Sequence, residues 1–167
     1  MLPETVFRIQ LVLGYVAMLL LFTAYVLPRL RALGPLAAQR AIATLHSFRF
    51  FGLVFILPGV VGAGLPAPFS TVAAYGDLAT GVLALTALAA FRNRPLFLAL
   101  VGAYNVVGVA DLLLDYAHAI QFQVPELAGQ LGAMYWVPVL YVPLLMITHV
   151  AALYWLVRPH PAPAPAR

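Results

Sequence analysis

The stretch Leu96–Ile120 reads LFLALVGAYNVVGVADLLLDYAHAI. It carries no Arg and is long enough to cross the ~30 Å hydrocarbon layer of a bilayer, which takes ~20 predominantly apolar residues as a helix. Its polar residues are few and patterned. At 100° per residue, Tyr104, Gly108, Asp111, Asp115 and His118 fall within about 80° of one another, and Asn105 lies beside them. An ionisable group inside a span costs roughly 2.5–3.5 kcal/mol on insertion scales, so this stripe should face a bundle interior and not lipid.

Four further runs have the same character, at about 9–27, 41–61, 71–91 and 133–157. They predict an all-α, polytopic integral membrane bundle of five transmembrane helices forming a single domain over residues 1–158. The links hold Pro28, Gly34 and Pro35, then Gly62, Gly64, Pro66 and Pro68, then Arg92-Asn93-Arg94-Pro95, then Pro125, Gly129 and Gly132. The Pro/Ala-alternating tail, 159–167, reads as an extended, disordered cytoplasmic appendage. The composition agrees: of 167 residues 64% are hydrophobic and 8% charged, against about 25% charged in a soluble domain.

The charges set an expected orientation. All nine basic residues are Arg. With five spans, Arg29, Arg31, Arg40, Arg92, Arg94, Arg158 and Arg167 share one side, and only Arg8 lies on the other. That bias predicts an N-out, C-in protein, and a bacterial inner membrane is the expected location. Without Lys or Cys there is no Schiff-base chemistry, disulfide, thiolate metal site or iron–sulfur cluster. No nucleophile–base motif or phosphate loop is present, so the reading leans away from an enzyme, and nucleic acid is not an expected partner.

Five spans do not split into two equal inverted halves, which argues against a conventional secondary transporter. The length and span count resemble the five-helix translocator proteins that bind porphyrins and sterols, although their Trp-rich motifs are absent. The stretches Asn93-Arg94-Pro95 and Tyr135–Pro143 resemble parts of four-helix sterol-isomerase-like membrane proteins, over about two helices. No residue role is carried over from either family.

The remaining deep polar groups suggest a site. Asp77 lies in the outer half of the third span, at a depth comparable with Asp111. If the two faced each other, one would hold a proton or a cation would sit between them. Arg49 is too deep in the second span to snorkel, and needs an anion, a set of carbonyls or a water-filled pocket. The leading expectation is an intramembrane acidic pocket of Asp77, Tyr104, Asn105, Asp111 and Asp115, with Arg49 polarising its inner half. It would bind or translocate a lipophilic or proton-coupled small molecule. One alternative places a b-type haem between His46 and His149, which fall at similar depths, with Arg49 on a propionate. Another is a non-catalytic accessory or assembly subunit whose polar groups only join helices. Membrane lipid and a homo-oligomeric neighbour are the other expected partners.

Overall fold

The computed structural model describes residues 2–158, so the expected tail at 159–167 lies outside the described residues. The described residues are mostly helical. Helix α1 covers Pro3–Ala32, α3 Ala67–Ala89, α4 Arg94–Gln121 and α5 Val137–Val157; these four are long and apolar enough to cross a membrane. Helix α2, Pro35–Ser47, continues without a break into a 3-10 helix over Phe48–Ile56. A second 3-10 segment, Ala128–Tyr135, precedes α5.

The second segment departs from the expected 41–61. It begins at Pro35, with Gly34 as N-cap and Pro at the first turn, where a missing N–H costs nothing. It tightens after Ser47 and stops at Ile56. The loop before α4 supplies a side-chain cap. Asn93 accepts the Leu96 N–H at 3.3 Å and Pro95 follows in the first turn of α4.

Helix α3 is the hub, packing against α2, its 3-10 extension and α4. Helix α5 closes the bundle against α4 and α2. Helix α1 lies outside this core against α5 and leaves Val12, Leu13, Val16 and Leu20 exposed, an apolar face of the kind a membrane-spanning helix carries. Helix α1 approaches α5 closely where Gly14 meets Val139. Pro143 has no N–H to offer the Val139 carbonyl one turn back, and Gly14, where a Cβ would collide with that oxygen, lies against it.

Over the arginine-poor end, loop 57–66 is tied to the 3-10 segment of 128–135. Gly62 N–H donates to the Gln130 carbonyl at 2.7 Å, and Gly64 N–H to Gln130 Oε1 at 3.1 Å. Gly132, at φ +53°, faces the Val60 carbonyl where a side chain would collide. Beneath this cover sits an apolar cluster that includes Phe7, Phe55, Phe69, Val124 and Leu131.

Candidate functional site

Arg49 sits at the centre of the bundle with its side chain inaccessible to solvent. Its Nε donates to Asp77 Oδ1 at 2.6 Å and its Nη2 to Asp111 Oδ2. Its Nη1 donates to the Gly108 carbonyl at 3.4 Å and to His149 Nε2 at 3.2 Å. One guanidinium thus clamps α3, α4 and α5 to the 3-10 helix that carries it. Its fork of donors can serve both carboxylates and the imidazole at once, which a point-like ammonium could not.

The expected juxtaposition of Asp77 and Asp111 is present, and the cation between them is Arg49. Starting α2 at Pro35 explains how Arg49 reaches them. Fourteen residues into the segment, it lies about 21 Å from that end, while Asp77 lies about 18 Å from the neighbouring end of α3. From a start at 41 the arginine would be several ångströms short.

The hydrogen bonds fix the protonation of His149. Arginine only donates, so Nε2 accepts and Nδ1–H donates to Asn105 Oδ1 at 2.8 Å. Asn105 is oriented for this by its Nδ2 donating to the Val101 carbonyl at 2.7 Å. His46 follows a similar logic. The Thr148 hydroxyl lies 2.8 Å from the Leu144 carbonyl and spends its proton there, so His46 Nε2–H donates to Thr148 Oγ1 at 3.1 Å. Both imidazoles are fully buried, and the acceptor role of Nε2 makes the His149 ring neutral beside the arginine. Tyr104 is buried against them, with ring centroids 5.5 Å from His46 and 6.2 Å from His149.

This geometry does not fit haem. The His46 and His149 rings stack with centroids 3.9 Å apart, in van der Waals contact. Axial imidazoles point at an iron from opposite faces of a porphyrin, and no macrocycle fits between rings in contact. Among the described residues no group of three or more His, Asp or Glu side chains could hold a metal ion.

Three glycines make the centre possible. A Cβ on Gly52 would collide with the Asp77 carboxylate, one on Gly76 with that of Asp111, and one on Gly108 would stand 2.5 Å from the His149 ring. Gly102, one helix face away, meets nothing within 4 Å. Gly76→Ala should therefore displace Asp111 from Arg49 and destabilise by about 1–3 kcal/mol. Gly102→Ala should be neutral or stabilise by up to about 1 kcal/mol, as alanine does in a helix. Thermal unfolding of the two variants side by side in one detergent checks this.

Toward the arginine-poor end the polar centre opens into a cavity of about 430 Å³, within the range of small-molecule sites. Its walls are apolar: Phe7 and Leu11 from α1, Phe55, Phe69, Ala73, Leu112, Ala119, Val142 and Leu145. Asp77 forms part of its floor and Asp115 stands in its wall. Asp115 Oδ1 is inaccessible to solvent and has no hydrogen-bond partner. Arg8 and Ile120, both exposed, mark the rim between α1 and α4. A hydrogen bond of 2.5 Å between the Tyr15 and Tyr116 hydroxyls joins the same two helices beside the cavity.

The residues singled out in the sequence therefore fall into two groups. Arg49, Asp77, Asp111, Asn105, His46 and His149 form the polar centre with Tyr104 packed on it, whereas Asp115 faces the cavity. Sequence reasoning missed the Tyr15–Tyr116 bridge, whose partners are 101 residues apart. It also missed that Gly52 admits the Asp77 carboxylate and Gly76 that of Asp111, since each glycine lies on a different element from the acid it admits. No curated protein and no solved structure matches the chain. A family model does match, over residues 6–157, and the chain belongs to that family, described as Domain of unknown function (DUF8737).

Proposed function

We propose that the protein binds a small lipophilic molecule in the cavity between α1 and α4, with the polar or cationic end of that molecule at Asp115. The observation that supports this reading is Asp115, a half-buried acid in the wall of a mostly apolar cavity, with no ion pair and no hydrogen-bond partner for its buried Oδ1. A buried polar atom without a partner costs about 1–3 kcal/mol, and more if charged. A ligand donor would remove that cost. The arginine network beneath the cavity supports binding over open passage, since every element there is locked to Arg49 and the stacked imidazoles lie behind it.

In this reading α2 and its 3-10 extension cross the membrane as a fifth segment, with the N-terminus outside. The arginine bias supports that orientation, and so does the position of Arg40, whose guanidinium lies 4.6 Å from the centre of the Phe91 ring. That contact sets the start of α2 beside the end of α3, so the two run antiparallel.

The test is native mass spectrometry of protein taken directly from membranes. A small-molecule adduct is expected on the wild type and its loss is expected in Ala119→Phe, which fills the cavity from a half-buried wall position. An adduct lighter than a phospholipid that survives this substitution, or no such adduct on either protein, overturns the reading.

A further inference from the structure

A second trough runs along the opposite half of α1, on the seam with α5, and encloses about 460 Å³. Leu19, Phe22 and Leu27 of α1 face Ile147, Val150 and Ala151 of α5 across it. Its wall on α1 extends from Tyr15 to Arg31, about 24 Å at 1.5 Å per residue. That is longer than one leaflet's half of the ~30 Å hydrocarbon layer.

A break in helical regularity makes this wall continuous. In an unbroken α-helix, Arg31 would lie about 160° around the axis from Tyr15. The π-helical turn at Phe22–Val26 takes in one extra residue and rotates the downstream part of α1 back by roughly 100°, leaving Leu27 and Arg31 on the trough side. Thr23, which also lines it, turns its hydroxyl onto the carbonyls of Leu19 and Leu20 at 2.8 and 3.2 Å. The trough is thereby kept apolar along its length.

It is not apolar at its end. Arg31 lies there with Tyr154 and Trp155, and the Arg158 guanidinium lies 5.4 Å from the centre of the Tyr154 ring. Arg29, nearby on α1, donates to the Tyr25 carbonyl at 2.6 Å. Among the described residues neither Arg31 nor Arg158 forms an ion pair with an acid. An apolar channel ending in the Arg31 guanidinium and two interfacial aromatics, one of them carrying the Arg158 guanidinium on its ring, is complementary to an acyl chain with an anionic head.

We propose that this trough seats one anionic phospholipid from the leaflet on the arginine-rich side. Its phosphate lies on Arg31 and Arg158, and one acyl chain lies along the α1–α5 seam. The site is separate from the cavity at Asp115 and stands whether or not that cavity takes a ligand.

Native mass spectrometry with phosphatidylglycerol and phosphatidylcholine of identical chains tests it. The wild type should prefer phosphatidylglycerol by about tenfold. The paired change Arg31→Gln with Arg158→Gln, both at exposed positions, should reduce that preference to near unity. Ala151→Phe keeps both arginines and blocks the trough, and should weaken both lipids alike. Millimolar glycerol phosphate should not displace the lipid. Equal binding of the two lipids by the wild type, a preference that survives the double substitution, undiminished binding by Ala151→Phe, or displacement by glycerol phosphate each overturns the proposal.

Discussion

Arg49→Met is expected to be the most damaging single substitution in the chain. It removes the only cation between Asp77 and Asp111 and leaves two buried carboxylates facing each other across the α3–α4 interface. Removing one partner of a buried ion pair costs about 3–5 kcal/mol, because the remaining charge has no compensation. Here there are two remaining charges, and His149 loses the donor to its Nε2 as well. The variant should be recovered from membranes in low yield and unfold at a markedly lower temperature. Arg49→Lys should recover little of this, since an ammonium cannot reach both carboxylates and the imidazole together.

The same physics sharpens into an expectation for the triple change Arg49→Met, Asp77→Asn, Asp111→Asn. Replacing a whole buried ionic cluster with neutral groups is often tolerated, and sometimes stabilising by about 1–4 kcal/mol, where breaking it is not. The triple variant should therefore be more stable than the single one. Thermal unfolding of the three proteins in one detergent checks the order. A triple variant no better than Arg49→Met would show that the network does more than balance charge.

How far the sequence discloses this site depends on what its parts cost. Charges inside apolar runs are expensive, so each one must be accounted for. Arg49, Asp77 and Asp111 stand out for that reason, and so do the two histidines. The depth of Arg49 is harder to judge. Residues Ala37-Ala38-Gln39-Arg40 are polar enough to pass for a link, yet they form the first turns of α2. Gln39 is tolerated there because its Nε2 donates to the Ala152 carbonyl of α5 at 2.9 Å. That contact is 113 residues away in sequence, and no local pattern reports it. The cavity is illegible for the opposite reason. Its walls are phenylalanines, leucines and alanines from several elements, residues that a membrane helix carries everywhere. Only the position of Asp115, one turn beyond Asp111 on the same stripe, points toward it.

Asp115→Asn separates the two roles that carboxylates play in this protein. The substitution keeps the shape of the side chain and leaves the Arg49 ion pairs, which do not include Asp115, in place. The fold should be preserved, and removal of an unpaired acid from an apolar wall should leave stability unchanged or slightly raised. Ligand selectivity is where the change should appear. In nanodiscs, N,N-dimethyldodecylamine should stabilise the wild type more than dodecanol does, because the protonated amine supplies the cation and donor that the Asp115 carboxylate lacks. In Asp115→Asn the amine should bind about 10–100-fold more weakly, a loss of about 1.4–2.8 kcal/mol, whereas dodecanol should be nearly unaffected. A parallel loss for both ligands would assign Asp115 a merely structural part in the wall. Equal binding of the amine to both proteins would move its site away from the cavity altogether. The contrast with Arg49→Met is the physical point. Asp77 and Asp111 are already satisfied from within the protein, so neutralising them alone strands a buried arginine; Asp115 has no hydrogen-bond or ion-pair partner among the described residues, so a ligand in the cavity can supply one.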